Sequence, residues 1–402
     1  MSEYVDTLLP LRWDEPRGSY DVVIVGGGGH GLSTAYYLAS RHGITNVAVV
    51  EADYIASGNT GRNTTIIRAN YGIPEAVRFY QHSLEMYQTL EDETGAAILH
   101  QTKGIFWLVH TEMGLRTERA RCLLNTACGA RTVMVDPTEV KELIPQIDLT
   151  GGGRYPILGG SHHLEAATAR HDRVAWAYAS GAAQRGVHVI QHTTVTGLLR
   201  DGDRVSGVQT SQGQIRAGVV LSAVGGRVTA MAAHAGVRLP IRTHPLHAFV
   251  TNNYAPGFGP IVASTELNCY ASQTERGQML IGAEFDSQPS YSRQSSFSAL
   301  RSYSYRMLHL LPFLRNLRIL RSWAGLCDIS ADYSPIMGFT GVDGFLVPTG
   351  WGTWGFKAIP AGGEAMAELI ATGRPPALIA PFALDRFRSD HVLADQGSAG
   401  TR

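Results

Sequence analysis

The sequence predicts a chain of mixed class, an α/β unit with a parallel sheet joined to an α+β unit with an antiparallel sheet. Two observations predict the α/β unit. A β-branched run, a glycine-rich turn and a helical pattern follow one another in residues 20–51, and a similar succession lies in residues 219–235. A third observation predicts the α+β unit, because residues 73–165 and 240–320 have the pattern of antiparallel strands alternating with long helices.

The composition limits the classes of function. The 402 residues are 44% hydrophobic and 17% charged, enough for two domains with a large core. Lys and Arg together number 34, as do Asp and Glu, and this neutral balance argues against a general nucleic-acid binder. The four cysteines form no C-x-x-C pair, which predicts neither a disulfide framework nor a metal site. We find no signal-peptide pattern and no stretch long enough for a membrane span, and therefore expect a cytoplasmic protein without membrane partners.

Residues 20–51 have the pattern of a dinucleotide-binding unit. A strand is predicted at 20–25, a helix at about 32–41 and a second strand at 47–50. The turn matches G-x-G-x-x-G, and Glu51 follows its last glycine by 20 positions, where this fold places the carboxylate that binds ribose. We therefore predict a pyrophosphate on the helix N-terminus, with cofactor contacts from Gly26, Gly28, Gly29, His30, Gly31 and Glu51.

Later segments favour FAD over NAD, a choice that Glu51 alone leaves open. The loop SGNTGRNTTIIRANYG at 57–72 is polar and rich in Gly and Asn, which suits an enzyme that buries an isoalloxazine ring as well as adenosine. A strand, turn and helix at 219–235 follow a strand and a meander, and a strand, glycine loop and helix recur at 344–373. This order is the plan of a glutathione-reductase-type FAD-binding domain.

Both domains are predicted to be discontinuous. The FAD-binding domain takes residues 20–85, 166–238 and 322–388. An antiparallel-sheet substrate domain takes residues 86–165 and 239–321. The two long inserts are therefore expected to form one sheet together.

Longer strings carry a resemblance to a known family. The segments YDVVIVGGGGHGLSTAYYLA, GITNVAVVE, GNTGRNTTIIRANY, HDRVAWAYA, GVHVIQ, HPLHAFV and GWGTWGFK occur in family order over most of the chain. They resemble the β subunit of heterotetrameric sarcosine oxidase, within the glycine-oxidase and D-amino-acid-oxidase group of FAD-dependent amine oxidases. The strings GRNTTIIR and HD-x-VAW are much more specific than the nucleotide fingerprint.

The resemblance implies oxidative demethylation of sarcosine or a related N-methyl amino acid. It implies that non-covalent FAD takes the hydride, and that a covalent FMN at the contact with the α subunit passes the electrons to O2. The products are then the demethylated amine, H2O2 and formaldehyde, or methylene-tetrahydrofolate where the α subunit binds tetrahydrofolate. The implied partners are the α, γ and δ subunits. The resemblance also implies further FAD contacts from Asn59, Thr60, Arg62, Asn63, Thr64, Thr65, Val195, Gly225, Gly352, Thr353, Gly355 and Lys357.

Three residues receive chemical roles from the resemblance. Arg68 and Lys357 match the pair that clamps the substrate carboxylate, the arginine as a bidentate fork and the lysine as a point charge. His171 matches the histidine that bonds covalently to the 8α-methyl group of FMN, a role that suits a neutral ring nitrogen. The local pattern alone indicates only a histidine at the start of a helix.

Other positions leave alternatives open. Tyr71 either hydrogen-bonds the substrate or packs, and His247 is either near the substrate or structural. Trp354 stands where the family has a small residue, and is expected either to narrow the pocket or to stack on a larger or cationic substrate. Cys327 is expected to be a buried thiol. Two other functions are weighed beside the oxidase, namely a dehydrogenase β subunit for an amino or imino acid such as L-proline, and a non-catalytic flavoprotein scaffold.

Overall fold

The computed structural model describes residues 14–255, 257–389 and 391–393. Its strands in chain order are β1 (Ser19–Val25), β2 (Val47–Val50), β3 (Ile66–Ile67), β4 (Gln101–Thr102), β5 (Ile105–Val109), β6 (Thr132–Val135), β7 (Gly159–His163), β8 (Ala167–Thr168), β9 (His188–Ile190), β10 (Val195–Asp201), β11 (Arg204–Thr210), β12 (Gly213–Ser222), β13 (Ile241–Asn253), β14 (Ile261–Ser264), β15 (Cys269–Gln273), β16 (Gln278–Phe285), β17 (Ile319–Ser330), β18 (Ile336–Phe339) and β19 (Phe345–Thr349). Its helices are α1 (Gly29–His42), α2 (Pro74–Thr94), α3 (Glu112–Ala127), α4 (Pro137–Leu143), α5 (His171–Ala183), α6 (Val228–His234), α7 (Phe297–Leu310) and α8 (Ile359–Thr372).

The first sheet is the one that the dinucleotide pattern predicts. Strand β1 lies between β2 and β12 and is parallel to both, and β9 and β19 extend the parallel part outward. The meander β10–β11 joins the other half of β12 in antiparallel pairing. The buried runs of β1 and β2 suit the centre of a parallel sheet covered by helices on both faces.

Helix α1 begins at Gly29, three residues before its predicted start, because glycines in its first turn allow close packing. A Cβ atom on Gly31 would lie 2.1 Å from the carbonyl oxygen of Gly26. Helix α8 crosses α1 as closely, since a Cβ atom on Gly363 would lie 2.2 Å from Ser33 Oγ. The Ser33 hydroxyl also donates to the carbonyl of Ile359 at 2.9 Å, which fixes the two helices at their N-terminal ends.

The second sheet has the strand order β17-β13-β16-β15-β14-β5-β7-β6. Neighbouring strands are antiparallel, except that β14 and β5 are parallel. Strand β17 pairs with β13 along most of its length but runs past residue 321, where the sequence places a domain boundary. A third, small sheet has the strand order β3-β8-β4. None of the described helices combines the length and apolar character needed to cross a membrane.

Candidate active site

A cavity of about 630 Å³ lies between the two sheets. The residues that end β1 and β2 line it on one side, and residues of β13, β14, β15 and β17 line it on the other. Crevices at the carboxyl ends of parallel strands are the usual ligand sites of such sheets. The predicted residues that line the cavity are Gly26, Gly28, Gly29, His30, Glu51, Asn59, Thr60, Arg62, Asn63, Thr64, Thr65, Arg68, Val195, Gly225, Gly352, Thr353, Gly355 and Lys357.

The glycine-rich turn forms one end of the cavity. Gly26 has a φ of +111°, and a Cβ atom there would lie 2.5 Å from the carbonyl oxygen of Ala223. One carboxylate oxygen of Glu51 accepts from the N–H of Gly27 at 2.8 Å, and Thr60 Oγ1 accepts from the N–H of Gly29 at 2.9 Å. A helix N-terminus that opens into a cavity favours an anion such as a diphosphate, so this end fits the phosphates of FAD.

The loop after β2 is fixed against β17. The Asn59 amide exchanges hydrogen bonds with the backbone of Leu326, donating at 2.5 Å and accepting at 2.8 Å. Thr65 has a φ of +61°, a strained value for a β-branched residue. Next to it, the Thr64 hydroxyl lies 3.0 Å from the hydroxyl of Tyr270, which also lines the cavity. Strain of this kind at a cavity wall is typical of functional sites.

His30 connects the glycine-rich turn to the C-terminal loop. Its ring stacks on Trp351 with centroids 4.0 Å apart, and its Nε2–H donates to the carbonyl of Gly355 at 2.9 Å. Burial lowers its pKa to about 3, so the ring is neutral and Nδ1 is an acceptor. Within the described part of the chain Nδ1 has no hydrogen-bond partner. Nδ1 faces helix α8, where a Cβ atom on Gly362 would lie 3.1 Å from it, so the ring is packed between the two helices.

Asp328 fixes the loop that leads to α8. Its carboxylate accepts from the Thr349 hydroxyl at 2.8 Å and from the backbone N–H groups of Gly350 and Trp351 at 2.7 and 3.3 Å. Burial raises the pKa of this carboxyl to about 6. The loop is thereby held against β17, which determines where Lys357 enters the cavity.

Arg68 and Lys357 come together at the other end of the cavity, as the resemblance implies. Both are buried, with 5% and 6% of their surface exposed. Burial lowers the pKa of Lys357 well below its usual value, and the nearby Arg68 charge lowers it further. The Lys357 ammonium donates to the carbonyl of Thr353 at 3.3 Å, and no carboxylate of the described residues lies within ion-pair distance of it. Two buried cations side by side suit a carboxylate ligand.

Aromatic residues hold the Arg68 guanidinium in place. Its Cζ atom lies 4.4 Å from the ring centre of Tyr71 and 4.7 Å from that of Trp107. Arg121 lies over the Trp107 ring at 5.1 Å and forms a buried ion pair with Glu118. Trp107 also lines the cavity, and the sequence analysis did not select it. Nothing in the local sequence pattern shows that this position of β5 faces Arg68.

Tyr71 and Trp354 pack behind the Arg68 wall and do not line the main cavity. Tyr71 stacks on Tyr80 with centroids 4.3 Å apart and meets the edge of Trp354 at 4.8 Å. Trp354 is 2% exposed. The expectation that Trp354 narrows the pocket is therefore corrected, because its side chain fills a neighbouring aromatic core. Trp351 is the tryptophan of this loop that lines the cavity.

His247 is not brought to the cavity. Its neighbours on β13, Leu246 and Ala248, line the cavity, so its own side chain points to the opposite face of the strand. There its Nε2 lies 3.0 Å from an Asp286 carboxylate oxygen and its ring meets the edge of Tyr303. We therefore give His247 no contact with the substrate.

His171 is the first residue of α5 and lies outside the cavity lining. It is half-buried, and burial lowers its pKa, so the neutral ring predominates near neutral pH. The strand β8, which ends three residues before it, pairs with β3 through Ile66 and Ile67. Arg68 directly follows β3, so His171 is linked to the substrate end of the cavity through one strand pair.

The fold and the cavity define the class of an FAD-binding oxidoreductase. A model of the family described as FAD dependent oxidoreductase matches residues 21–369, and the chain belongs to this family. This result confirms the fold class that the sequence predicts. It also agrees with the glycine turn and the Glu51 carboxylate at one end of the cavity.

Individual relatives narrow the class to enzymes of the sarcosine and amino-acid oxidase type. The chain is 41% identical over 385 residues to the sarcosine oxidase subunit beta of Arthrobacter sp, covering 96% of this chain and 95% of the relative. It is 39% identical to the subunit of the same name from Rhodobacter capsulatus, covering 96% and 93%. The L-proline dehydrogenase from P. horikoshii superposes with a TM-score of 0.88 at 27% identity, covering 93% of this chain and 99% of that one. Glycine oxidase from Geobacillus kaustophilus, at 23% identity and a TM-score of 0.82, shares the fold.

Proposed function

We propose that this chain is the catalytic β subunit of a sarcosine-oxidase-like complex in the cytoplasm. In this proposal it oxidatively demethylates sarcosine or a related N-methyl amino acid. The observation that carries the proposal is the pair of buried cations, Arg68 and Lys357, in the same cavity as the glycine-rich turn. The likeness to two sarcosine oxidase β subunits supports it.

The residues of this chain bind and orient the substrate. Arg68 binds the carboxylate through its planar fork and Lys357 adds a second charge, so the N-methyl group is directed along the cavity. The same two cations disfavour an ammonium ion next to them, so the amine is bound as the free base. Apolar side chains of Ile66, Ile105 and Trp107 line this end and exclude water. When bound, FAD supplies the two-electron oxidant that accepts hydride from the N-methyl carbon.

His171 has a separate role in the proposal, the covalent attachment of FMN through its neutral ring. FMN supplies the passage of both electrons to O2, which with two protons gives H2O2. Water hydrolyses the oxidised substrate to formaldehyde and the demethylated amine, or the one-carbon unit passes to tetrahydrofolate bound by the α subunit. The partial exposure of His171 supports its place at a contact with the α subunit, with γ and δ subunits completing the complex.

The complex co-expressed with its partner subunits provides the test of substrate oxidation. Under anaerobic conditions we expect sarcosine or another N-methyl amino acid to bleach the FAD absorption band. Under air we expect stoichiometric formaldehyde and H2O2. A band that no N-methyl amino acid bleaches would reject the demethylase, and a band that L-proline does not bleach either would favour the non-catalytic scaffold.

The role of His171 is tested by acid denaturation of the same complex. We expect part of the flavin to stay with the precipitated protein, and the variant His171→Ala to release all of it while keeping FAD before denaturation. His42→Ala, which changes a half-buried histidine at the end of α1, serves as the control and should retain the covalent flavin. Equal oxygen consumption by His171→Ala and the unchanged protein would refute the two-flavin scheme.

A second candidate is a dehydrogenase that oxidises an imino acid such as L-proline and passes electrons to a carrier. The similarity in fold to an L-proline dehydrogenase, with a TM-score of 0.88, favours it. L-proline would then bleach the FAD band without H2O2 release under air. Bleaching by N-methyl amino acids alone would exclude this candidate.

A further inference from the structure

Three arginines, Arg62, Arg227 and Arg293, line the cavity near its cofactor end. They come from three separate segments. Arg62 ends the short helix Asn59–Arg62 after β2, Arg227 follows the double glycine after β12, and Arg293 lies in the loop between β16 and α7. The last of these segments belongs to the antiparallel-sheet part of the chain.

The middle of β17 brings the three segments together. The Trp323 indole donates to the carbonyl of Arg62 at 2.7 Å, and the N–H of Ala324 donates to the carbonyl of Arg293 at 3.3 Å. Gly226, directly before Arg227, packs so closely on β17 that a Cβ atom would lie 2.5 Å from the carbonyl oxygen of Leu326. The three backbone segments are therefore fixed within a few residues of one another along one strand.

The loop between β16 and α7, which carries Arg293, is fixed by hydrogen bonds on the side away from the cavity. The N–H of Asp286 donates to the carbonyl of Pro245 at 2.8 Å, and the N–H of Ser290 donates to the carbonyl of Thr243 at 3.0 Å. Further along, the hydroxyls of Tyr291 and Thr229 lie 3.2 Å apart. These contacts fix the loop against β13 and the start of α6, so that Arg293 reaches the cavity from the antiparallel-sheet part.

The electrostatics of this wall suit an anion. Burial lowers the pKa of Arg293, and the charges of Arg62 and Arg227 lower it further, while Glu51 and Asp53 raise it. Among the residues that the structure describes, the side chains of Arg227 and Arg293 form no ion pair. Arg227 and Arg293 are exposed to solvent as well as to the cavity, and an anion bound between them would balance their like charges.

The glycine-rich turn lies directly beside this wall. The helix that ends at Arg62 accepts a hydrogen bond from the N-terminus of α1, through Thr60 Oγ1 and the N–H of Gly29. The diphosphate expected on that N-terminus is therefore within the same part of the cavity. A diphosphate carries two negative charges, and guanidinium groups bind it through paired hydrogen bonds.

We propose that Arg227 and Arg293, together with Arg62, form a second set of ligands for the diphosphate of FAD. Arg293 then couples the antiparallel-sheet part of the chain to the cofactor, so that FAD holds both parts together. This proposal rests on the FAD-dependent family and does not depend on the identity of the amine substrate.

The experiment uses apoprotein prepared from the purified complex and measures FAD affinity by quenching of flavin fluorescence. We expect Arg293→Ala to raise the Kd for FAD on the order of tenfold, and Arg293→Lys to recover part of that loss. The rise should shrink at high salt, because the interaction is between charges. Arg301→Ala, which removes an exposed arginine on α7 outside the cavity, is the matched control and should leave the Kd unchanged.

Competition by two probes separates phosphate binding from a general loss of structure. ADP displaces FAD from the unchanged protein, and Arg293→Ala should weaken ADP but not adenosine. Thermal melting of the apoprotein confirms that the variant folds. An unchanged Kd for FAD in Arg293→Ala, or an equal loss for ADP and adenosine, would overturn the proposal. Should Arg293→Ala fail to fold, Arg293→Gln, which removes the charge but keeps a polar side chain with the same first three carbons, is judged by the same two outcomes.

Discussion

The two ends of the cavity are built in different ways. At the end with the glycine-rich turn the wall is built largely from backbone, and Gly26 and Gly31 let strand and helix approach within distances that no side chain permits. At the other end charged side chains form the wall, with Arg68 buried against the rings of Tyr71 and Trp107 and Lys357 buried nearby. The glycine-rich end depends on the absence of side chains, which lets backbone segments approach closely. The other end depends on charged side chains that the fold keeps buried, although burial of a charge is unfavourable.

This difference predicts different consequences of mutation. A change at the cofactor end acts on the packing of strand and helix, so it should affect stability and FAD binding together. A substitution at the substrate end removes one charged side chain from the cavity wall, while the surrounding fold stays in place. Such a change should affect the reaction while FAD stays bound.

Gly31→Ala is expected to have the largest effect. The new methyl group would lie 2.1 Å from the backbone oxygen of Gly26, so strand and helix must separate, at a cost of about 3 kcal/mol or more. We expect little FAD after purification and a lower melting temperature. Gly18→Ala is the control, since a Cβ atom there meets nothing within 4 Å. Full FAD content in Gly31→Ala would contradict the close packing described for α1.

Arg68→Ala comes next, at the other end. Loss of one partner of a buried charge interaction with the substrate carboxylate should lower kcat/KM for an N-methyl amino acid on the order of a thousandfold, or about 4 kcal/mol. Stopped-flow reduction of the flavin measures this effect, and the absorption spectrum reports whether FAD remains bound. Arg68→Lys keeps the charge and should recover part of the rate. Joint loss of FAD and activity would remove the distinction between the two ends.

The same distinction explains what the sequence could predict. The cofactor end follows local rules, because the glycine spacing, the first two strands and Glu51 lie within one short segment. The structure confirms β2 at the predicted residues and β1 within one residue. The start of α1 was placed late because glycine is a poor helix former, although close packing makes it suitable here.

The substrate end depends on contacts between distant parts of the chain. Only the family resemblance brought Arg68 and Lys357 together, since no local pattern relates them. Trp107 was missed for the same reason, as its role depends on which face of β5 meets Arg68. The sequence left two alternatives open for His247, and the structure places it on the structural side, because neighbours such as Leu246 and His247 point to opposite faces of a strand. Trp354 is turned away from the cavity that Trp351 lines.

Lys357 provides a test by pH. Burial and the Arg68 charge lower the pKa of this ammonium, so it loses its proton as pH rises above that lowered value. Affinity for a carboxylate should therefore fall as pH is raised through this lowered pKa, well before an ordinary lysine would lose its charge, while Arg68 keeps its own. Titration with methoxyacetate, which has the carboxylate but no amine, measures the affinity by perturbation of the flavin spectrum. Lys357→Arg should show no such fall, and a flat profile in the unchanged protein would contradict the assignment.

Trp107→Phe is expected to have the smallest effect. Indole binds a cation better than phenyl does, and here the ring lies between Arg68 and Arg121. The weaker phenyl contact leaves Arg68 less firmly oriented, with a loss of about 1 kcal/mol. We expect KM for the amine substrate to rise about fivefold, since about 1.4 kcal/mol corresponds to a tenfold change, with little change in kcat.

The neighbouring residue on β5 supplies the control for this last effect. Phe106 points to the opposite face, where its ring stacks on His162 with centroids 4.2 Å apart. Phe106→Leu should lower the melting temperature through loss of core packing without raising KM. Because the two residues are adjacent on one strand and both are buried, a general loosening of β5 would affect both variants. An equal rise in KM for both variants would show that general loosening of β5 accounts for the effect, and that Trp107 does not position Arg68.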